Sequence, residues 1–423
     1  MYCSDLFIVL IAPNVGEQMG GEAIKALQIF RELSKDQPNT VQITHERNRS
    51  ELSDRLRLSN VFYVPDSPVS LFLWHSRVLR WLLDPWFCRK AIRLAEQLVE
   101  ARRTSSVKVV FHQTEPNSPV MPRFISRKYP NVFGPVNGNI YYPKIFRRHE
   151  TLSAKLRRLF HMPFQFINRL IFRGVTKADL VLCAGGPRTR RSLLAGGCEE
   201  GILVDCLDCG VSDEILDRDR VRQQGTNFRF VHFGRLVFHK GTTLIIESLS
   251  KTKQPICIDI IGKGPELERC RLLVDSLGLR DRVNFMDWFP SHRQLLDSFG
   301  QYRGALLPSI EDANGIVVQE AMALGLPCIC LDWGGPQLLV EDGVSGFLVK
   351  PLSREAIIQG LAENLDRLAM DGELAEGMSL AARKRAESWR WSAVASEWLS
   401  LYHAYLSERW RRSVARSENC EAG

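Results

Sequence analysis

The chain has 423 residues, of which 45% are hydrophobic and 25% are charged, a globular composition long enough for two domains of roughly 200 residues each. Its formal net charge of +8 favours anionic partners such as phosphates, acidic lipids or nucleic acid. No uncharged apolar run approaches the ~20 residues that cross a bilayer. These properties argue against an integral membrane protein and predict a soluble or peripheral one.

The cysteines and the N-terminus point to the cytoplasm. Eleven cysteines are scattered without a repeating framework, which suits a reducing compartment where thiols stay free. Cys206 and Cys209 form a C-x-x-C pair, but no second pair or histidine cluster accompanies it, so we expect no metal site. The segment Met1–Val15 contains Asp5 and lacks a basic start, which favours a buried first strand over a signal peptide.

Apolar segments of strand length alternate with helical patterns, which predicts parallel sheets flanked by helices. The strands predicted in the first half are Leu6–Ala12, Thr40–Thr44, Val107–His112, Val132–Gly134 and Leu180–Cys183. Those predicted in the second half are Phe228–Phe233, Ile256–Ile261, Val283–Met286, Gly304–Pro308 and Cys328–Leu331. A further short strand is expected near Val204–Val211, and the polar stretch Ser212–Asn227 that follows it separates the two series. The predicted fold class is therefore α/β, with two doubly wound Rossmann-like domains.

Two glycine-containing loops follow predicted first strands. In Asn14–Glu22, glycines allow close approach of a ligand to the backbone, and the helix that follows offers free N–H groups to a phosphate. Its spacing is not G-x-G-x-x-G, which argues against a dinucleotide site, and a ligand-free turn explains it equally well. In Phe233–Gly241, Arg235 and Lys240 can converge on a pyrophosphate, although two surface cations beside a glycine turn would look the same.

A third motif, Pro308–Pro327, carries two acids around a glycine. Asp312 precedes Gly315 on a loop, and Glu320 lies further into the predicted helix. The helix start can bind phosphate, Glu320 can accept ribose hydroxyls, and Asp312 can accept a sugar hydroxyl. A solvated pair of acids is the plainer reading, but it does not explain why the acids flank a glycine and an apolar helix start.

Together these motifs resemble the retaining glycosyltransferases of the GT-B fold, the group 1 or family 4 type with an E/D-x7-E motif. The residues that carry the resemblance are Asp312-x7-Glu320 with Ala-Met-Ala-x-Gly-x-Pro, Gly234-Arg-x4-Lys-Gly241, Gly334–Pro336 and Asp342-Gly-x2-Gly346. That family includes mannosyl- and glucosyltransferases of polysaccharide and glycolipid synthesis. The resemblance covers nearly the whole second domain.

The resemblance implies a nucleoside-diphosphate sugar as donor and roles for particular residues. The implied donor contacts are Gly21, Arg235, Lys240, Gly315, Ile316 and Val317 for the diphosphate, Glu320 for the ribose, and Gly262, Gly264, Asp287 and Trp288 for the base. Asp312 faces the donor sugar. The family usually has Glu at this position, so Glu311 is an alternative for the role. No metal or other cofactor is implied.

The first domain is expected to contribute to catalysis and to acceptor binding. His112 ends a predicted strand, and in this family a histidine at such a point often touches the donor sugar near the reaction centre; a purely structural histidine is the alternative. Asn137 and Gly138 lie in a loop at the carboxyl end of another strand, where open α/β sheets bind ligands, and we assign them to the acceptor side.

The implied GT-B architecture places two domains face to face across a cleft. Residues 1–208 form the acceptor-side domain and 209–388 the nucleotide-sugar domain. Residues 389–407 form a terminal helix that crosses back to the first domain, and 408–423 a flexible basic tail. The aromatic stripe predicted on this helix consists of Trp391, Trp398, Tyr402 and Tyr405.

Two basic, aromatic segments suit contact with an anionic membrane surface. Lys144–Lys177 has nine Lys or Arg residues and one acid, Glu150, among many apolar side chains. Leu71–Arg103 has a similar character, with Trp74, Trp81, Trp86 and Phe87. Core helices with basic outer faces are the alternative interpretation of both.

The function predicted is transfer of a sugar, with retention, from a nucleoside-diphosphate sugar to a glycan or lipid-linked acceptor. The enzyme is expected in the cytoplasm, either free or peripheral on the cytoplasmic face of the membrane, in polysaccharide or glycolipid synthesis. A nucleotide-sugar epimerase of the same fold and a non-catalytic anion- or nucleotide-binding protein are the alternatives. No nucleic-acid-binding signature is present, so no nucleic acid partner is expected.

Overall fold

The computed structural model describes residues 6–16, 21–50, 52, 60–76, 79, 82–102, 108–114, 123–138, 140–171, 174–223 and 225–421. Packing divides the chain into two compact units. Unit 1 comprises Met1–Asn139, Arg157–Gly210 and Trp391–Gly423, and unit 2 comprises Ile140–Leu156 and Val211–Arg390.

Unit 1 contains a seven-stranded parallel sheet with the order β3-β2-β1-β4-β5-β6-β7. Its strands are β1 (Leu6–Ile11), β2 (Val41–His45), β3 (Val61–Val64), β4 (Lys108–Gln113), β5 (Asn131–Val136), β6 (Leu180–Cys183) and β7 (Leu203–Asp205). Its helices are α1 (Gly21–Asp36), α2 (Pro68–His75), α3 (Leu83–Ala101), α4 (Leu152–Ile171, in unit 1 from Arg157), α5 (Gly186–Ala195) and α14 (Trp391–Glu421).

Unit 2 contains a six-stranded parallel sheet with the order β10-β9-β8-β11-β12-β13. Its strands are β8 (Arg229–Phe233), β9 (Cys257–Ile261), β10 (Val283–Met286), β11 (Gly304–Leu307), β12 (Cys328–Leu331) and β13 (Gly346–Val349). Its helices are α6 (Asp213–Leu216), α7 (Thr242–Leu249), α8 (Leu267–Ser276), α9 (His292–Asp297), α10 (Ile316–Ala323), α11 (Pro336–Leu339), α12 (Arg354–Met370) and α13 (Gly372–Glu387).

The predicted fold class is confirmed, since both units are doubly wound α/β structures. Every strand predicted from an apolar run is present, because strands covered by helices on both faces read as continuous apolar segments. The strands that were not predicted, β3 and β13, are short edge strands with partly exposed residues. Edge strands leave a weaker apolar pattern because solvent reaches one side of them.

The segment Ile140–Leu156 was assigned to the first domain but packs with unit 2. Phe146 is buried in the main core of unit 2, and Tyr142 packs against the same core. The indole Nε1–H of Trp333 donates to the Tyr141 carbonyl at 2.8 Å. The aromatic side chains of Tyr142 and Phe146 thus anchor this basic segment to unit 2.

Helix α14 belongs to unit 1 and is longer than predicted. Trp398 and Tyr402 are fully buried, but Tyr405, predicted on the same stripe, is 38% exposed. The helix continues to Glu421, where the sequence predicted a flexible tail from residue 408. Trp410 extends the buried stripe, and its Nε1–H donates to the Val109 carbonyl at 2.8 Å.

The two segments considered for membrane contact differ in which face is buried. In α3, side chains such as Phe87, Ala91 and Val99 lie in the unit 1 core, so α3 is an ordinary core helix. Leu71 and Phe72 of α2 are exposed, and Trp81 lies outside the described ranges. In α4 the large apolar side chains are exposed instead. None of the helices in the described ranges combines the length and apolarity required to span a membrane.

His112 and α14 are joined by a buried hydrogen bond. The Tyr402 hydroxyl donates to His112 Nδ1 at 2.5 Å, and His112 Nε2–H donates to the Gly134 carbonyl at 2.8 Å. Burial lowers the pKa of His112 to about 3, so the imidazole is neutral at physiological pH. The His112 ring also packs against Trp398, with centroids 4.7 Å apart. His112 therefore anchors the terminal helix to the sheet of unit 1.

Tyr402→Phe should destabilise unit 1 by about 1–3 kcal/mol, because His112 Nδ1 would be left as a buried acceptor without a donor. Urea unfolding followed by near-ultraviolet circular dichroism measures the change. Tyr405→Phe is the matched control and should change the unfolding free energy by no more than about 0.5 kcal/mol. Equal effects of the two substitutions would contradict the anchoring role.

Candidate functional site

The candidate donor residues of unit 2 gather at the carboxyl edge of its sheet. Strand β8 lies between β9 and β11, so the loops that follow these three strands are neighbours. Open parallel sheets bind ligands at this edge. Residues far apart in the chain, from 234 to 320, are therefore available to one ligand.

The loops after β8 and β11 are locked together through their backbones. The Ile310 N–H donates to the His239 carbonyl at 2.7 Å. Gly241 has a φ of +73°, and a Cβ there would lie 2.4 Å from the Pro308 carbonyl oxygen. Only glycine fits such a close approach in this conformation. The close packing of the two loops fixes the backbone position from which the Lys240 side chain extends.

Lys240 and Asp312 form an ion pair at the centre of this edge. Lys240 Nζ lies 2.6 Å from Asp312 Oδ2, with 19% and 14% of the two side chains exposed. The other carboxylate oxygen, Oδ1, accepts the Gly315 N–H at 2.9 Å. The Asp312 carbonyl accepts the Gly335 N–H at 2.8 Å. Asp312 thus joins three loops, and it contacts Lys240 directly, a contact that the sequence analysis did not predict.

The start of α10 offers two unused donors. Gly315 caps the helix with a φ of +68°, and its N–H is already bound to Asp312. Within the described part of the chain, the N–H groups of Ile316 and Val317 have no hydrogen-bond partner. The positive end of the helix dipole adds to their attraction for an anion. Two of the three backbone donors predicted at 315–317 are therefore available.

Arg235 completes a cationic edge. Its side chain is exposed, and no ion pair to it occurs among the described residues. The pKa of His239 is lowered by partial burial and by the positive charges of Lys240 and Arg235. Two cations on one loop suit a diphosphate.

Glu320, predicted to bind ribose, is held by a residue that the sequence analysis missed. His292 Nε2 lies 3.1 Å from Glu320 Oε1, and the hydrogen bond to Glu320 raises the pKa of His292. Ser291 caps α9 by accepting the Gln294 N–H, which places His292 in the first turn. Ser291 can be recognised as a helix cap from the sequence. No sequence feature indicates that the helix it caps lies next to α10.

The predicted base-region residues lie on the loops after β9 and β10. Gly262 has a φ of +142°, and a Cβ there would lie 2.0 Å from the Gly234 carbonyl oxygen. A Cβ on Gly264 would lie 2.1 Å from the carbonyl oxygen of Leu236. Trp288 is 43% exposed beside Gly262. The glycines bring the β8 and β9 loops into backbone contact next to an exposed aromatic ring.

Asp287 in this region is exposed and forms an ion pair with Lys263 at 2.7 Å. The hydrogen bond from Lys263, followed by the one from the Trp288 N–H, lowers the pKa of Asp287. The carboxylate is therefore ionised at neutral pH.

Gly262→Ala should destabilise unit 2 by at least about 1 kcal/mol more than Gly234→Ala. Both glycines have an unusual φ, +142° and +146°, but a Cβ at Gly234 meets nothing within 4 Å. Because both substitutions cause similar backbone strain, the difference between them measures the clash of the new Cβ at position 262 with the Gly234 carbonyl oxygen. Chemical unfolding of both variants tests it, and equal losses would refute the close approach.

Glu311 and the segment around Tyr142 are also close to this edge. The pKa of the Tyr142 hydroxyl is raised by burial and by the negative charge of Glu311. Asp312, by contrast, is the acid that contacts Lys240. Within the described residues no group of three or more His, Cys, Asp or Glu side chains could hold a metal ion.

Three sites in unit 1 were singled out by sequence. Both ring nitrogens of His112 are bound within unit 1 and its side chain is fully buried, so in this structure it cannot touch a donor sugar. Gly21 is the first residue of α1, and residues 17–20 of its loop lie outside the described ranges. Asn137 is buried, and the Gly138 carbonyl accepts the Thr189 hydroxyl at 2.8 Å.

Lys25, which sequence analysis overlooked, is buried near the start of α1. Its Nζ lies 3.0 Å from Asp208 and 2.5 Å from Glu22. Burial lowers its pKa, but the charges of Asp208 and Glu22 prevail and raise it, so Lys25 stays charged. The sequence feature that could have revealed this buried ion pair is a single lysine on the otherwise apolar face of α1. The pair fixes the beginning of α1 to the segment after β7.

Comparison with known proteins agrees with this geometry. Residues 213–385 match the family described as "Glycosyl transferases group 1". A D-inositol 3-phosphate glycosyltransferase of Streptomyces griseus is 32% identical over 185 residues, 42% of this chain and 38% of that protein. A GDP-mannose-dependent α-(1-6)-phosphatidylinositol monomannoside mannosyltransferase of Mycobacterium tuberculosis is 30% identical over 196 residues, 44% of this chain and 49% of that protein. The matched part spans less than half of these relatives.

Solved structures extend the likeness in fold to nearly all of the chain. Sucrose-phosphate synthase from Thermosynechococcus elongatus has a TM-score of 0.63 at 17% identity, covering 95% of this chain and 100% of that one. HepE of Anabaena has a TM-score of 0.61 at 16% identity, covering 94% and 100%. The fold is therefore GT-B, and residues 213–385 match the family of group 1 glycosyltransferases.

Proposed function

We propose that this protein is a retaining glycosyltransferase that uses a nucleoside-diphosphate sugar. The observation that carries the proposal is the Lys240–Asp312 ion pair beside the unused N–H groups of Ile316 and Val317. A cation, two backbone donors and a helix dipole at one point suit a diphosphate. The match of residues 213–385 to group 1 glycosyltransferases supports the same conclusion.

In the proposed complex, Lys240 leaves Asp312 for the donor phosphates, and Arg235 contacts them from the solvent side. Release of Lys240 frees one Asp312 oxygen for a hydroxyl of the donor sugar, while the other remains on the Gly315 N–H. Glu320 exchanges His292 for the ribose hydroxyls. The base lies along the 262–264 loop and Trp288.

The chemistry proposed is departure of the nucleoside diphosphate, with the negative charge on its phosphate stabilised by Lys240, Arg235 and the start of α10. The acceptor hydroxyl then forms its bond to the anomeric carbon on the face that the leaving group vacates and passes its proton to the departing phosphate oxygen, which retains the configuration. No step requires His112, which is neutral and fully bound in unit 1. No cofactor takes part in these steps.

The acceptor proposed is a glycan or a lipid-linked sugar, used at the cytoplasmic face of a membrane. Relatives named for phosphatidylinositol monomannoside and for colanic acid synthesis support this class. HepE has been solved with UDP and glucose, which supports a nucleotide-sugar donor. Asn137 and Gly138 are proposed on the acceptor side.

The proposal is tested by screening UDP, GDP, ADP and their common sugars for thermal stabilisation, since ligands that bind the native state raise its melting temperature. The stabilising donor is then incubated with and without candidate acceptors, and the anomeric configuration of the product is read by nuclear magnetic resonance. Retention and an absolute need for acceptor are expected. Turnover of donor to an epimer without acceptor, or an inverted product, would refute the proposal.

Lys240→Ala should weaken binding of the nucleoside diphosphate by about ten- to a hundredfold, the loss of a charge-assisted contact of about 1.5–3 kcal/mol. Calorimetric titration measures the affinity. Lys253→Ala, at an exposed lysine of the same unit, is the control and should leave it unchanged. If Lys240→Ala lowers stability but not affinity, the ion pair with Asp312 is structural only.

Glu320→Gln should weaken nucleotide binding without unfolding the protein, because it keeps the shape of the side chain but loses the charge that attracts ribose hydroxyls. His292→Ala is the companion variant. It removes the group that competes for Glu320 and should leave affinity unchanged or increase it. A wild-type protein that binds a 2′,3′-dideoxy nucleotide as tightly as the natural one would exclude the ribose assignment.

A further inference from the structure

Helix α4 presents its polar side to unit 1 and its apolar side to solvent. Gln165 is buried, and its Nε2 donates to the Ser192 hydroxyl at 3.0 Å. A Cβ on Gly197 would lie 2.9 Å from the Arg169 side chain, so the stem of that arginine runs over the glycine. The inward contacts of α4 are therefore polar ones. This orientation is the reverse of that of a helix that serves a core.

The outward side of α4 is a continuous apolar strip. Leu159 is 66% exposed, Phe166 58% and Leu170 58%. Other large apolar side chains of the same face are also exposed: Phe160, Phe164 and Ile167. Residues spaced at three, four and seven positions share one face of a helix, which makes these six side chains neighbours. Monomers seldom leave so large an apolar strip uncovered unless it has a partner.

The charges around the strip identify that partner. Arg157 and Arg158 directly precede the strip in the chain, Arg169 lies within the same stretch with its stem against Gly197, and α4 contains no Asp or Glu at all. A second copy of α4 would place these cations against like charges. An anionic leaflet instead offers both a hydrocarbon boundary for the apolar side chains and negative charge for the arginines.

We propose that α4 is an interfacial helix that attaches the protein to an anionic lipid bilayer, with Leu159, Phe166 and Leu170 inserted at the headgroup boundary. The attachment is peripheral, since the strip occupies one side of a single helix. It deepens the proposed function by naming the surface on which a lipid-linked acceptor is met. Its test uses vesicles without donor or acceptor, so its failure and the failure of the proposed sugar transfer are observed separately.

The experiment is co-sedimentation of the full chain with phosphatidylglycerol vesicles and with phosphatidylcholine vesicles, at low and high salt. We expect at least about tenfold stronger partitioning to the anionic vesicles at low salt, reduced by high salt. Arg157→Glu/Arg158→Glu should weaken it at least about tenfold. Lys251→Glu/Lys384→Glu, which removes two exposed cations from unit 2, is matched in charge and should have a much smaller effect.

The apolar contribution is tested separately by Leu159→Gln/Phe166→Gln, which should abolish most binding while melting temperature is maintained. Leu272→Gln/Leu352→Gln, at two exposed leucines of unit 2, should bind as the wild type does. Equal partitioning to both vesicle types would overturn the proposal. So would sedimentation-velocity evidence that the chain self-associates through α4 in the absence of lipid and does not bind vesicles.

Discussion

Asp312 is the residue on which the donor edge of unit 2 depends. Its carboxylate joins the Lys240 ammonium and the Gly315 N–H, and its carbonyl accepts the Gly335 N–H. One residue thus connects the loops after β8, β11 and β12 through its side chain and its backbone carbonyl. The ion pair also compensates the charge of a partly buried lysine, because a buried charge without a partner costs several kcal/mol, of order 3–5. In the proposed function an anion replaces Asp312 as the partner of that lysine. The Lys240–Asp312 ion pair therefore positions the loops in the free protein and, in the proposed function, opens to admit the ligand.

Unit 1 depends on a different interaction, the hydrogen bonds of a neutral, buried histidine. His112 receives a hydrogen bond from Tyr402 and donates one to Gly134, so both its nitrogens are satisfied without charge. This arrangement ties α14 to the centre of the sheet. The Lys25–Asp208 pair similarly ties the beginning of α1 to the segment after β7.

The sequence predicted the fold, and the donor residues it proposed in unit 2 lie on neighbouring loops at one edge of the sheet, but it did not predict their side-chain partners. Buried strands appear as apolar runs, and glycines such as Gly241 mark close approaches, so both are local signals. The partner of Lys240 lies 72 residues away, and Tyr402 lies 290 residues from His112. Such pairings arise from strand order and helix packing, which no local pattern specifies. The reversed orientation of α4 was equally hidden, because an amphipathic pattern does not tell which face is buried.

The central claim is that the Lys240–Asp312 pair opens to admit a nucleoside diphosphate. A crystal structure with the tightest binder among UDP, GDP and ADP tests it most directly. The account predicts that Lys240 Nζ moves from 2.6 Å to beyond about 4 Å from Asp312 and contacts a phosphate oxygen, with the Ile316 and Val317 N–H groups directed at the same phosphates. A nucleotide bound elsewhere, with the ion pair intact, would contradict it.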